Sequence, residues 1–347
     1  MPVPWVRKAY ARRTEKLPVR VHIRQRNAHK VTAVMDLKRW LITLTASLSG
    51  VLAVLLLCRE SVAAQGVRDG IDLCITSVIP ALFPFFAASQ LLVSLGAAEV
   101  LGRGAGPLFR QLFGIGGAGA SAFLLGLIGG YPVGAKTTES LVRQGLLPPE
   151  DGALLLTFCN NAGPGFLLGV CGAGVFSSSR AGAALYLIHV AAALCAGLLI
   201  CRALPPVPHG TYPHKSAKAQ HLSTAFPAAV QNALTGCLNV SAFVVFFTVL
   251  ARLLLHFLPE AFASSLPCAL LLGFLELTSG VLSLPCSRAG FLACAALLGW
   301  GGLSVHCQTL SVLAATPLSA RYYLKGKALQ ALLSLLLALP ALPVLFP

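Results

Sequence analysis

Glu276 is the strongest candidate for chemistry, because it is the one acidic residue deep inside an apolar run, 266–284. An ionisable group in hydrocarbon is costly unless it is paired, hydrated or protonated, so it indicates a functional site by default. Thr278 and Ser279 follow it and could share a water molecule or a ligand. The alternative is a protonated glutamate that only hydrogen-bonds a neighbouring helix.

Two asparagines form the second candidate group. Asn160 and Asn161 stand just before Gly163-Pro164, where a helix must be interrupted. An interrupted helix frees backbone amides and carbonyls, and asparagine amides offer both donors and acceptors. These side chains could bind a polar ligand or fill a polar gap between helices. Lys136, which follows a turn, could bind an anionic group or extend to the membrane surface.

His306 and Gln308 form the third group, just after Gly301-Gly302. The glycines are followed by Ser304, whose surroundings faintly resemble the nucleophile motif of intramembrane serine proteases. However, Ser304 and His306 are two residues apart and would face different sides of a helix. The sequence contains no HExxH and no paired aspartates within apolar runs. We therefore expect no catalytic residue and interpret His306 and Gln308 as polar contacts at a second interruption.

The eleven cysteines predict neither a metal site nor a disulfide framework. None forms a CxxC pair, and most lie in apolar stretches, where a free cysteine acts as a small hydrophobe. We expect no metal ion and no cofactor.

The composition places these candidates in a membrane. Of 347 residues, 56% are hydrophobic and only 11% are charged, whereas soluble domains carry about 25% charged residues. One aqueous core cannot hide so much apolar surface, so lipid must serve as solvent. We predict an all-α, polytopic transmembrane bundle of about eight membrane segments, some of them broken or re-entrant, and exclude a soluble enzyme.

The N-terminal region is strongly basic, since 11 of the 26 lysines and arginines precede Trp40. An apolar run follows at once, which favours a cytoplasmic anchor over nucleic-acid binding or a lipid-binding patch. We therefore expect no nucleic-acid partner. Residues 1–34 are predicted to be a dispensable tail or an over-extended start before Met35. Residues 35–66 predict a first anchor, with a cleaved signal peptide as the alternative.

Interruptions recur at glycines and prolines within the apolar runs. The predicted helix-break residues are Gly129, Gly130, Tyr131, Pro132, Gly134, Gly163, Pro164, Gly301 and Gly302. Non-helical backbone is tolerated at membrane depth where protein or water covers it. If residues 118–130 enter and leave on one side, the basic connector 205–226, with Lys215 and Lys218, falls in the cytoplasm, as the positive-inside tendency requires.

Short motifs repeat in the same order on both sides of this connector. Gly126, leading to Gly134, is echoed by Gly273, leading to Gly280, and the interruption near Gly163 is echoed near Gly301. Transporter folds are often built from such repeats, with paired interrupted helices that meet at a midplane site. The interpretation is a duplicated unit, with halves at 67–204 and 227–347.

Five ordered motifs resemble one family. They are VIPALFPFF at 78–86, GGYPVGAK at 129–136, CNNAGP at 159–164, ELTSG at 276–280 and GLSVHCQ at 302–308. From about Met35 onward the chain resembles the YlbJ family of sporulation integral membrane proteins, which carry a nucleoside-recognition or Gate domain. The resemblance implies a multi-pass protein of the bacterial inner membrane, needed for spore formation and spore cortex assembly, with kinship to nucleoside transporters.

The combined hypothesis is a transporter-like protein with a midplane site for a small polar solute such as a nucleoside. Its expected partners are the lipid bilayer, the solute, and a second copy or other sporulation membrane proteins. Glu276 would supply a coupling proton. The alternative is a membrane scaffold in which the same residues only join helices. The substrate-binding residues of the hypothesis are Lys136, Asn160, Asn161, Glu276, Thr278, His306 and Gln308.

Overall fold

The computed structural model describes residues 39–40, 42–203, 221–314 and 316–346. The chain divides into two compact units, Met1–Glu60 and Ser61–Pro347. In the first unit, helix α1 covers Ile42–Cys58. The predictions about residues 1–34 and about Lys215 and Lys218 lie outside the described residues.

The second unit is built from helices, and its described part contains no strand. The helices of the first half are α2 (Glu60–Leu73), α3 (Ile79–Ser94, after the π-helical turn Cys74–Val78), α4 (Ala97–Phe113), α5 (Ala118–Gly129), α6 (Val133–Arg143), α7 (Pro149–Leu155), α8 (Gly165–Val175, π-helical) and α9 (Ser179–Ala203). Those of the second half are α10 (Leu222–His256), α11 (Glu260–Ala263), α12 (Leu266–Leu275), α13 (Leu277–Leu282), α14 (Arg288–Trp300), α15 (Gly302–Leu313), α16 (Ala320–Ala338) and α17 (Leu342–Leu345).

The fold is the predicted helical membrane bundle, but the expected number of about eight membrane segments is wrong. By length and composition, the described residues contain five candidate spans, or six if α4 and α5, bent by 100°, count as one. The reason is helix length. With 12 residues in α5 and 10 in α12, these helices are only about 18 and 15 Å long, against a hydrocarbon core of roughly 30 Å.

Helix α10 begins at Leu222, inside the predicted connector 205–226. Pro227 lies inside this helix, near its start. As the sixth residue of the helix, it removes the amide that would bond the carbonyl of Ser223, and α10 continues through it.

Two short helical hairpins carry the repeated glycines. In the first, α5 and α6 pack so closely that a Cβ added at Gly126 would lie 2.9 Å from Gly134 Cα, and one added at Gly134 would overlap the carbonyl oxygen of Cys159. In the second, α12 and α13 pack so that a Cβ added at Gly280 would overlap Gly273 Cα. The glycine pairs that echo each other in the sequence therefore make the same kind of contact in both halves.

Gly134→Ala is expected to destabilise the protein, since the added methyl group has no room against the Cys159 backbone. Overpacking of this kind costs about 1–3 kcal/mol. The measurement is the melting temperature of the purified protein in detergent. Gly104→Ala in α4 is the control, because nothing lies within 4 Å of its added Cβ. Equal melting temperatures for the two variants would contradict the close packing.

Candidate functional site

The hairpin tips meet the other interrupted segments. At the first tip, a Cβ added at Gly130 would lie 2.9 Å from the amide nitrogen of Gly163, where the backbone is not helical. At the second tip, a Cβ added at Gly302 would lie 3.1 Å from the amide nitrogen of Leu277. Gly301 separates α14 from α15, and it and Gly302, the first residue of α15, have φ values of 97° and 78°, which residues with side chains rarely adopt. Each half thus pairs one hairpin tip with one interruption.

A cavity lies where these interruptions come together. Tyr131 and Gly163 line it from the first half, and Glu276, Thr278 and Gln308 line it from the second. Most of the remaining wall is apolar and includes side chains of α10 and α8. The volume is about 40 Å³, which is room for about three water molecules. The cavity therefore combines a mostly apolar wall with a few polar groups.

Glu276 is held by the start of its own helix. Its carboxylate accepts hydrogen bonds from the amide nitrogens of Thr278 (3.1 Å) and Ser279 (2.6 Å), and from the Ser279 hydroxyl (2.8 Å). Glu276 is the N-cap of α13 and only 1% exposed. A negative charge is favourable there because helix N-termini present unpaired amides and a positive dipole end. The interruption in the 266–284 run occurs at the glutamate itself.

The side chain of Gln308 has one unused hydrogen-bond acceptor. Its Nε2 donates to Ser304 Oγ at 3.3 Å, while its Oε1 has no hydrogen-bond partner in the part of the chain that the structure describes. The side chain is 4% exposed and lines the cavity. An unpaired buried acceptor costs about 1–3 kcal/mol. A water molecule or solute in the cavity would remove that cost.

Asn160 and Asn161 are used between helices rather than in the cavity wall. Asn160 Nδ2 donates to Thr309 Oγ1 (2.8 Å), and its Oδ1 accepts from the amide nitrogen of Ala135 (3.4 Å). Asn161 Nδ2 donates to the carbonyl of Phe158 at 2.7 Å. Both asparagines are buried. The Asn160 side chain joins the first interruption to α6 and α15, and Asn161 Oδ1 accepts from Gln330 Nε2 in α16.

Lys327, in α16, is the buried charge that the sequence reasoning missed. The side chain has no exposed surface. Its Nζ donates to Tyr131 Oη at 2.9 Å, to the carbonyl oxygen of Asn160 at 3.2 Å and to Gln330 Oε1 at 2.7 Å. All three acceptors are neutral oxygens.

Tyr131 and Gln330 extend this network in opposite directions. The Tyr131 hydroxyl donates to the carbonyl oxygen of Leu298 at 3.1 Å, in the last turn of α14. Gln330 Nε2 donates to Asn161 Oδ1 (3.1 Å) and approaches the carbonyl oxygen of His189 (3.3 Å). Lys327 therefore connects the first interruption directly, and the second through Tyr131.

The sequence around Lys327 hides its burial. The apolar run begins only at Ala328, so a lysine just before it resembles an interfacial residue such as Lys325, which is exposed. The helix instead begins at Ala320, so Lys327 lies two turns inside it. A signal was available in the spacing, since Lys327 and Gln330 are three apart and share a helix face.

The remaining predicted residues lie apart from the cavity. His306 Nδ1 is 2.9 Å from the hydroxyl of Tyr323, which is wholly buried. Lys136 is exposed. Of the seven predicted binding residues, the structure thus brings Glu276, Thr278 and Gln308 to one cavity.

No group of three metal-ligating side chains occurs within the described ranges. Apolar helices of spanning length around a buried polar junction define an α-helical integral membrane protein. No protein-family profile and no solved structure matches the chain.

One curated relative is the sporulation integral membrane protein YlbJ of Bacillus subtilis (strain 168). It is 24% identical to this chain in an alignment that covers 85% of the chain and 81% of the relative. This similarity confirms the resemblance predicted from the five motifs.

Proposed function

We propose that the chain is a multi-pass protein of the bacterial cell membrane that acts in sporulation and passes or senses a small polar solute. The observation that carries the solute proposal is the cavity at the two hairpin tips, with buried Glu276 and the unpaired Oε1 of Gln308 in its wall. The sporulation role rests on the name of the Bacillus subtilis relative. Assembly of the spore cortex is the process implied by the family.

The arrangement of helices supports a carrier-like mechanism. Transporters built from repeats bind solutes where discontinuous helices from both halves meet, because half-helix ends offer unpaired amides and carbonyls. Here each half supplies a helical hairpin and a second interruption, and their contact glycines correspond. With 12 residues, α5 is too short to cross the hydrocarbon core, which supports a first hairpin that enters and leaves the membrane on one side. The cytoplasmic location of the connector 205–226 depends on such a re-entrant hairpin and is therefore part of the proposal.

The chemistry of the cavity favours a solute with hydrogen-bond donors and an apolar face. Gln308 Oε1 and the Glu276 carboxylate are acceptors, and Val240, Val244 and Phe166 supply apolar wall. A nucleoside has both features. A cavity of about 40 Å³ holds only a few water molecules, so a nucleoside would enter it only if the surrounding segments move apart.

A scaffold remains the second candidate function, and one observation favours it. Asn160, Asn161 and His306 are engaged in bonds between helices or within the buried network. A protein that only holds sporulation partners or a second copy in the membrane would need no more than this. The two candidates differ in what the cavity residues must do, and variants at those residues separate them.

Gln308→Met is expected to abolish function with little change in stability. The substitution removes an unpaired buried acceptor but also the 3.3 Å bond to Ser304 Oγ, two effects of opposite sign on stability. The melting temperature should therefore change little, while the yield of heat-resistant spores should fall to that of a deletion strain. Gln330→Met is the matched control, because its amide is bonded on both sides and its loss should lower the melting temperature. Normal spore yield with Gln308→Met would favour the scaffold.

Glu276→Gln tests whether the carboxylate supplies the coupling proton. If it does, the variant protein should accumulate in the membrane but fail to restore spore yield. Glu260→Gln is the control, since this glutamate is exposed. Membrane accumulation measured by immunoblot separates loss of function from loss of the α13 cap. Full spore yield at normal accumulation would rule out a coupling role for Glu276.

A further inference from the structure

The surroundings of the Lys327 ammonium are those of a small cation site. Its three ligands are a hydroxyl, a backbone carbonyl and a side-chain amide oxygen, at 2.9, 3.2 and 2.7 Å. Neutral oxygens of these kinds, and especially the carbonyls of unwound helices, are what membrane proteins use to bind sodium. The backbone carbonyl here belongs to Asn160, in the non-helical stretch of the first interruption.

The hydrogen-bond pattern fits a lysine that carries three protons. The Asn160 carbonyl can only accept. Gln330 Oε1 also accepts, because the Nε2 of the same amide points to Asn161 Oδ1. The Tyr131 hydroxyl donates its hydrogen to the carbonyl of Leu298. It therefore acts as a hydrogen-bond acceptor toward Lys327 as well. Three acceptors need three donors, and only the ammonium form of lysine has them.

We propose that Lys327 is a tethered cation that occupies an alkali-cation-type site between the two helix interruptions. Its positive charge satisfies the Asn160 carbonyl directly and the Leu298 carbonyl through Tyr131, which is the task of a bound ion in an interrupted-helix junction. The consequence is that the wild-type protein needs no Na⁺ or K⁺ at this position. This inference concerns the interior of the bundle and does not depend on transport.

Removing the tether should create a site for a free cation. Lys327→Ala leaves the three oxygens in place and vacates the side-chain volume. The probes are NaCl, KCl and methylammonium chloride, each compared at equal ionic strength with N-methylglucamine chloride by thermal unfolding of the purified full-length protein. The wild type should melt at the same temperature in all four salts. The alanine variant should melt lower in N-methylglucamine and regain several degrees in at least one small cation.

Two matched variants exclude a general salt effect. Lys327→Met fills the vacated space with a neutral side chain, so its melting temperature should be lowered and should not respond to the cations. Lys325→Ala, at an exposed position two residues away, should behave as the wild type in every salt.

Two results would overturn the inference. One is a Lys327→Ala protein that responds to none of the three cations. The other needs no variant: a wild-type protein that loses stability when Na⁺ and K⁺ are withdrawn has a cation requirement that the tether should have removed. If the alanine variant does not accumulate, its recovery in cells grown with methylammonium becomes the readout, and absence of recovery counts against the proposal.

Discussion

Backbone carbonyls released by helix interruptions must find partners away from water, and this requirement shapes the centre of the molecule. An unpaired peptide group in a membrane interior costs several kcal/mol. The Asn160 carbonyl is satisfied by Lys327, and the Leu298 carbonyl by Tyr131, which itself accepts from Lys327. One ammonium therefore supports both interruptions. Because an ammonium is expensive to bury, its neutral oxygen ligands must all be in place, which ties α16 to both halves of the bundle.

The same interruptions create the cavity. Had α12 continued past Leu275, Glu276 would lie on a helix side and find no unpaired amides; the break makes it the N-cap of α13. Gly130 and Gly302 allow backbone to meet backbone at the hairpin tips, where any side chain would hold the segments apart. Structural support and candidate solute contacts thus meet at Tyr131, which belongs to the Lys327 network and also lines the cavity. The Lys327 network stabilises the junction, and Glu276, Thr278 and Gln308 face the space beside it.

Composition and local breaks were readable from the sequence, whereas long-range partners were not. Glycine and proline identify interruptions because they act on the backbone where they stand, and Glu276 is conspicuous in an apolar run. Asn160 and Asn161 were equally visible, but nothing local tells whether an amide faces a cavity or another helix. Lys327 looked like an interfacial lysine because its network joins residues up to 196 positions apart. The number of spans was overestimated because apolar character alone does not reveal that a segment such as α5 turns back after 12 residues.

The most direct test of this account is a double-mutant cycle between Lys327 and Tyr131, measured as the free energy of unfolding in detergent. Lys327→Met, Tyr131→Phe and the double variant are compared with the wild type, and Lys325→Met replaces Lys327→Met in a control cycle. If the ammonium and the hydroxyl support the two interruptions together, the single losses should overlap, with an interaction energy of about 1 kcal/mol or more. Additive losses within about 0.3 kcal/mol, as expected of independent sites and of the control pair, would contradict the account.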